Sequence, residues 1–407
     1  AAWLAFLDGC GAQAGLRALL NRLGPLRQSA LHWAMALPVP IFVALLYTQF
    51  READAWLGLL LAGLSWLLFA SGQLRLLTGP STYIRHWSTP WYVASYGCSL
   101  AAPLLALHFY DQPLLAVTVL LASGLYFASG WAFRFRWWLV PAGLALPLGL
   151  LILMDYWTLS QPQQSLALAL VTATYLLGGV WLEQRRAVAR RFLTPLYAVA
   201  HLVAALTLGL GLAPAAGYLF NARPWSDAAR LWAAGGQLVL CGAYGLFAWF
   251  QARERWAHIA AWLGVMAGGL VASALSQGRG SSALKAALLA AAYVLLERAL
   301  ASEALWKHWS RARQAVAKAW PLYRRALLIA GWTVSALAVA LALFRNLVLL
   351  GGGRVQAVWA IAGLLAVTAL YALSAWVFRR RIFVWLAGLL IVAPWTLLTA
   401  WGWFLWD

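Results

Sequence analysis

Residues 357–399 read AVWAIAGLLAVTALYALSAWVF, then RRR, then IFVWLAGLLIVAPWTLLT. Two uncharged, apolar runs of 22 and 18 residues flank three arginines. About 20 apolar residues are needed for a helix to cross the hydrocarbon core of a bilayer. Strands are a poor alternative, because an open sheet edge in lipid leaves backbone groups without hydrogen bonds. The stretch therefore predicts a helical hairpin, with two membrane-spanning helices joined by a basic turn.

The whole chain has the same character. Of its 407 residues, 64% are hydrophobic and 10% are charged, whereas a soluble protein carries about 25% charged residues. This composition excludes both a set of soluble domains and a disordered chain. The net charge of +19 lies in short clusters between apolar runs, which is typical of membrane topology. We therefore expect no nucleic-acid partner.

Apolar runs of this length recur, and they predict an all-α, polytopic integral membrane bundle of 13 helices. A transmembrane barrel is excluded because the runs do not alternate between polar and apolar residues. We assign residues 29–407 to a transmembrane domain of repeated two-helix hairpins, and residues 1–28 to a cytoplasmic or interfacial segment. The expected spans are 29–49, 55–75, 90–110, 113–133, 137–157, 165–183, 192–213, 230–250, 256–275, 283–301, 322–344, 355–377 and 383–405.

Basic residues predict the orientation of the helices. With these spans, 23 of the 30 lysines and arginines fall on one side of the membrane and 7 on the other. Cytoplasmic loops carry the excess of Lys and Arg, so we expect a cytoplasmic N-terminus and an outside C-terminus. The topology-setting residues include Arg134, Arg136, Arg185, Arg186, Arg253, Arg255, Arg379, Arg380 and Arg381.

Two aromatic motifs repeat along the chain. One closes helices that run inward and has a Tyr-to-Trp step of five residues. The other, Pro-x-Tyr, opens the returning helix, with Pro in its first turn where no hydrogen bond is lost. Tyr and Trp settle at the headgroup level, and Arg just beyond them meets anionic headgroups. We predict that the motif residues are interface anchors: Tyr126, Trp131, Tyr244, Trp249, Tyr371, Trp376, Tyr92, Tyr197 and Tyr323.

Two segments fall outside this hairpin pattern. Residues 302–321 predict an amphipathic helix on the cytoplasmic leaflet, because an apolar face with Trp is flanked by Lys and Arg. Residues 1–8 resemble 291–297, the inner end of a spanning helix. We therefore expect either that the chain is an interior piece of a longer polypeptide or that residues 1–8 form a short interfacial helix.

Few residues in the sequence suggest chemistry. Every acidic residue falls at a predicted helix end or in a loop, and Glu297 beside Arg298 reads as local charge compensation. His201 lies near mid-span, where it either makes a polar contact between helices or ligates a cofactor. The three cysteines are far apart and indicate neither a metal site nor a disulfide framework. We expect no enzyme activity and no metal site.

Three functions remain open. The first is a structural or accessory membrane protein, which is a scaffold or subunit of a larger assembly or the membrane part of a longer chain. The second is a transporter or flippase for a lipid-like or apolar substrate, and the third is a pigment- or haem-carrying subunit. Membrane lipids and other membrane subunits are the expected partners. No cofactor is predicted, although bound lipids are expected and a pigment or haem stays open. Short loops without an N-x-Ser/Thr site favour a bacterial plasma membrane.

Overall fold

The computed structural model describes residues 32–50, 56–78, 84–185, 190–221, 225–275, 281–302, 310–344 and 354–403. Over these residues the regular elements are thirteen α-helices, a short helical stretch at 32–36 and one short 3₁₀ turn at Arg136–Trp138. The helices are α1 Pro38–Phe50, α2 Trp56–Thr78, α3 Ile84–His108, α4 Gln112–Phe133, α5 Leu139–Tyr156, α6 Gln161–Gln184, α7 Arg190–Asn221, α8 Asp227–Gln251, α9 Glu254–Ala274, α10 Ser282–Ala301, α11 Ser310–Leu343, α12 Arg354–Phe378 and α13 Arg381–Trp403.

Eleven helical stretches of the described chain are long and apolar enough to cross a membrane. This supports an integral, all-helical membrane protein. The predicted spans 90–110 and 283–301 are not among the eleven. The first lies in α3, which is rich in Ser, Tyr and Pro, and the second lies in α10, which carries three charges within 20 residues. The number of spans and their orientation therefore stay predictions.

Short polar side chains fix several helix beginnings. Asp111 caps α4 by accepting a hydrogen bond from the backbone N–H of Leu114 at 3.0 Å. Ser226 caps α8 in the same way through Ala229, at 3.2 Å. Each cap satisfies one of the N–H groups that a helix leaves unpaired in its first turn. These caps end the turns between spans and allow the next apolar run to begin.

The Pro-x-Tyr motif does not open its helices, so the prediction of Pro in the first turn is wrong. Pro90 lies six residues after the start of α3, and Pro321 lies eleven residues after the start of α11. The residues just before Pro321 are mostly Ala, Arg, Gln and Lys, which are good helix formers and extend the helix backwards.

The predicted interfacial segments lie partly outside the residues that the structure describes. Residues 310–321 of the expected amphipathic helix continue directly into the apolar part of α11. Residues 303–309 and residues 1–28 lie outside the described residues. The domain boundaries assigned from the sequence, at 28 and at 302–321, stay predictions.

The chain divides into two compact units. The first comprises the described residues among 1–159 and 191–199; in it α2 packs mainly against α3, and α4 against α5. Leu61, Leu68 and Cys98 are part of the core between α2 and α3. A Cβ added to Gly58 would lie 2.7 Å from the carbonyl oxygen of Ala102. The absence of a side chain therefore allows the close helix approach that membrane bundles use.

The second unit comprises the described residues among 160–190 and 200–407. In it α8 packs against α6 and α9, while α10 packs against α11 and α12. Alanines fill many of these contacts, as at Ala257 and Ala330. A Cβ added to Gly363 of α12 would lie 2.9 Å from the backbone nitrogen of Leu284 in α10. Small residues thus bring the helices of this unit into close contact.

Candidate functional site

The three tyrosines of the inward-running motif are buried inside the helical units. Tyr126, Tyr244 and Tyr371 expose 9%, 4% and 7% of their surface. They lie on α4, α8 and α12. Buried phenol groups need a hydrogen-bond partner, because an unsatisfied polar group in an apolar surrounding is costly. The structure supplies one in each case.

Each hydroxyl meets a polar side chain of the preceding helix. The pairs are Tyr126 with Ser99 Oγ of α3 at 3.2 Å, Tyr244 with His201 Nδ1 of α7 at 2.8 Å, and Tyr371 with Ser335 Oγ of α11 at 2.8 Å.

The turn that follows each tyrosine has the same local geometry. The residue eight positions later has a positive φ, at Arg134 (51°), Ala252 (52°) and Arg379 (52°). This left-handed conformation ends the helix and reverses the chain. The residue twelve positions after the tyrosine is aromatic and packs back against it. These contacts are Tyr126 with Trp138, Tyr244 with Trp256 and Tyr371 with Phe383, at ring-centroid distances of 5.6, 5.9 and 6.2 Å.

We name this arrangement the Tyr–turn–aromatic unit: a buried Tyr, a left-handed residue eight positions on, and an aromatic residue twelve positions on. In each of its three copies the tyrosine touches the helix before it and the helical segment after it. The sequence showed the Tyr-to-Trp step. The hydroxyl partners were not visible there, because they lie 27 to 43 residues away along the chain.

The tryptophans of the same motif lie in a different environment. Trp131 and Trp376 expose 73% and 79% of their surface, and Trp249 is half-buried. An exposed indole near a helix end suits the headgroup region, since its ring is apolar and its N–H is polar. The interface-anchor role stays a prediction, and these tryptophans fit it better than the buried tyrosines do.

His201 is held in an aromatic pocket. Its ring stacks on Trp256 at 4.6 Å and on Tyr244 at 5.6 Å, with Phe247 edge-on at 6.1 Å. Within the described chain, no group of three or more His, Cys, Asp or Glu side chains is placed to hold a metal ion. The structure thus brings His201 together with a tyrosine hydroxyl and an indole. A cofactor role for His201 stays untested.

The tyrosines of the Pro-x-Tyr motif also pack between helices. Tyr92 meets Phe133 at 4.7 Å and Phe69 at 5.6 Å. The hydroxyl of Tyr323 donates to the backbone carbonyl of Gly245 in α8. Tyr197 is half-buried on α7.

The topology-setting arginines are exposed at the helix ends. Several stack over tryptophans, an arrangement that fixes the guanidinium while leaving it accessible. Arg136 lies 5.2 Å from the Trp137 ring and Arg185 lies 5.0 Å from Trp181. Arg186 lies outside the described residues. The exposed set is Arg134, Arg136, Arg185, Arg253, Arg255, Arg379, Arg380 and Arg381.

The predicted charge compensation of Glu297 by Arg298 is found in the structure, and the Glu297 side chain is in addition fully buried, with 0% exposed. Arg298 Nε lies 2.7 Å and Arg324 Nε 3.6 Å from its carboxylate. Arg298 also sits 4.0 Å over the ring of Phe378. The carboxylate therefore connects α10 to α11, and Arg298 connects α10 to α12. The position of Glu297, four residues before the end of the alanine-rich helix α10, is the sequence feature that could have indicated its burial.

The structure contains two further buried polar groups that the sequence does not predict. Gln237 of α8 and Ser165 of α6 are both fully buried. Among the described residues, neither the Gln237 amide nor the Ser165 hydroxyl has a hydrogen-bond partner. Glycines of α7 and α8 pack directly against Ser165, since a Cβ at Gly211 or Gly236 would lie 2.8 or 2.9 Å from Ser165 Oγ. Nothing in the sequence around Gln237 predicts that its side chain is buried.

Comparisons with protein-family profiles, with curated proteins and with solved structures find no match.

Proposed function

We propose that this chain is a structural or accessory polytopic membrane protein. It serves as a scaffold or subunit of a larger membrane assembly, or as the membrane part of a longer chain, and it is not catalytic. It is built from repeated helical hairpins, with the arginine-rich turns on the cytoplasmic side of a bacterial plasma membrane. The observation that carries this proposal is the threefold occurrence of the Tyr–turn–aromatic unit.

The unit supports a structural role because it uses polar groups to join helices. In lipid, helix association depends on close packing and hydrogen bonds, since the hydrophobic effect does not drive it. Each tyrosine hydroxyl is bonded to a neighbouring helix, and each ring is covered by the aromatic residue beyond the turn. Such a framework holds spanning helices at fixed positions, as a scaffold requires.

The test is the composition of the natively expressed protein, extracted with its surrounding lipid into polymer discs. We expect complexes of fixed stoichiometry by native mass spectrometry, or an intact mass above 44.5 kDa from a longer polypeptide. Tyr371→Phe weakens a unit and should lower the yield of the complex. Tyr110→Phe changes a hydroxyl on a side chain that is 89% exposed and should not. A lone monomer that a small substrate stabilises would argue against the scaffold.

A second candidate is a transporter or flippase for a lipid-like substrate, and buried Gln237 and Ser165 favour it. Polar side chains that are buried between membrane helices mark substrate paths in many membrane proteins. The test uses vesicles that carry a fluorescent phospholipid and a membrane-impermeant quencher. Transport predicts flipping that depends on the protein and slows in Gln237→Leu but not in Gln161→Leu, where the amide is exposed. No flipping above protein-free vesicles would remove this candidate.

A further inference from the structure

A polar cleft lies where α6 and α8 end and α7 begins. Its volume is about 350 Å³, within the range of small-molecule sites. The cleft is lined by Val180, Glu183, Gln184, Arg190, Phe250, Gln251 and Arg253. All of these residues belong to the second unit. The turn of the α8–α9 Tyr–turn–aromatic unit lies beside the cleft, because its left-handed residue Ala252 stands between the lining residues Gln251 and Arg253.

Three of the lining side chains hold one another in place. Arg190 Nε lies 3.2 Å from Glu183 Oε1, and Arg190 Nη2 donates to Gln251 Oε1 at 3.2 Å. Gln251 Nε2 in turn donates to Glu183 Oε2 at 3.1 Å. These three contacts compensate the charge of the Glu183 carboxylate. They also orient the guanidinium of Arg190, whose side chain is still 61% exposed. Glu183 and Gln251 are therefore positioning residues for Arg190.

Arg253 supplies an additional positive charge. It lines the same cleft and is exposed, and its backbone caps the start of α9. No ion pair of the described residues includes the Arg253 side chain. Two arginines against one glutamate leave the lining with a net charge of +1. A pre-oriented guanidinium beside a second one suits a phosphate group, which accepts paired N–H donors from arginine.

We propose that this cleft binds a phosphate group through Arg190 and Arg253, carried by an anionic lipid headgroup or present as free phosphate. The cleft lies at the helix ends, on the side where most basic residues cluster, and there anionic headgroups are the nearest phosphates. The apolar parts of Val180 and Phe250 lie along its wall. This site is independent of the scaffold proposal, because it needs neither a partner subunit nor a longer chain.

The test measures binding of two probes to the purified full-length chain in detergent. Native mass spectrometry counts bound phosphatidylglycerol, and titration calorimetry follows inorganic phosphate. The variants are Arg190→Gln and Arg253→Gln, singly and together. The matched control is the pair Arg136→Gln and Arg185→Gln, which removes the same charge from arginines that stack on Trp137 and Trp181 outside the cleft.

We expect each cleft variant to weaken binding about tenfold, because one charge-assisted contact is lost, and the control pair to change it less than twofold. Loss of phosphatidylglycerol alone assigns a lipid headgroup, and loss of both probes assigns phosphate itself. Arg253→Gln keeps the test valid if Arg190→Gln misfolds, since Arg253 is exposed. Equal losses in the cleft and control variants, or no binding of either probe to the unmodified chain, would overturn the proposal.

Discussion

At the residue scale, the decisive observation is that hydroxyl and imidazole groups inside the spans are bonded across helices. His201 and Tyr244 form the clearest pair, at 2.8 Å, with the imidazole stacked on Trp256. A hydrogen bond of this kind adds modest stability, but a lost partner leaves the other group unsatisfied in an apolar surrounding. The effect of a substitution therefore depends on which partner remains.

Tyr244→Phe removes the hydroxyl and leaves His201 Nδ1 without it. We expect the free energy of unfolding to fall by about 0.5–2 kcal/mol, the range for such bonds in membrane proteins. Unfolding in mixed micelles by increasing fractions of a denaturing detergent measures it. Tyr110→Phe, at a side chain that is 89% exposed, is the control and should have no effect. A loss in Tyr244→Phe no greater than in this control would show that the bond contributes nothing.

Gln237→Leu is expected to act in the opposite direction. The Gln237 amide is fully buried and has no hydrogen-bond partner among the described residues, so a leucine of similar size removes an unsatisfied group. We expect stability to rise by about 1–3 kcal/mol in the same unfolding assay. Gln161→Leu, where the amide is exposed, should change it little. A marked loss of stability in Gln237→Leu would mean that the amide has a partner, such as an ordered water.

At the element scale, the turns of the three units share a strained residue. Ala252 and its counterparts Arg134 and Arg379 have φ near 52°, which costs an L-residue roughly 1–2 kcal/mol. Glycine adopts this conformation freely, although it loses more chain entropy on folding. Each turn therefore holds a non-glycine residue in a backbone conformation that favours glycine.

Ala252→Gly should therefore stabilise the chain by about 0.5–1 kcal/mol. The control is Ala317→Gly, at an exposed position inside α11, which should destabilise it by about 0.5–1 kcal/mol. Thermal unfolding followed by helical circular dichroism reports both. The same sign for the two glycine substitutions would contradict the left-handed assignment of Ala252.

Much of the element order could be predicted from apolar run length. The expected span 113–133 matches Gln112–Phe133, and 256–275 matches Glu254–Ala274. The prediction failed where a proline looked like a boundary, as at Pro90 and Pro321. Hydropathy marks the part of a helix that fits in lipid, and a polar extension such as residues 310–319 leaves no such signal.

The candidate site was only half visible in the sequence. Spacing along one helix identified Tyr126, Tyr244 and Tyr371, but their partners lie on other helices and depend on packing. The burial of Glu297 was hidden for the same reason. Its neighbour Arg298 offered a local explanation, whereas the contact with Arg324 comes from α11.

At the scale of the whole molecule, eleven helical stretches of the described chain are long and apolar enough to cross a membrane. The distribution of arginines predicts which side of the membrane is cytoplasmic. Three turns with left-handed residues, at 134, 252 and 379, carry the basic clusters. Two other left-handed residues, Tyr110 and Thr158, lie in turns without Lys or Arg. If the basic residues set the topology, the two groups of turns face opposite sides of the bilayer.

The most direct measurement places single cysteines at these five positions in a cysteine-free chain and labels them in sealed, oriented membranes with an impermeant thiol reagent. We expect 134, 252 and 379 to react only from the cytoplasmic face, and 110 and 158 only from the opposite face. Labelling of 134 and 379 from opposite faces would contradict the alternating hairpins. Equal labelling of all five from one side, without opening the membrane, would contradict a membrane-spanning bundle altogether.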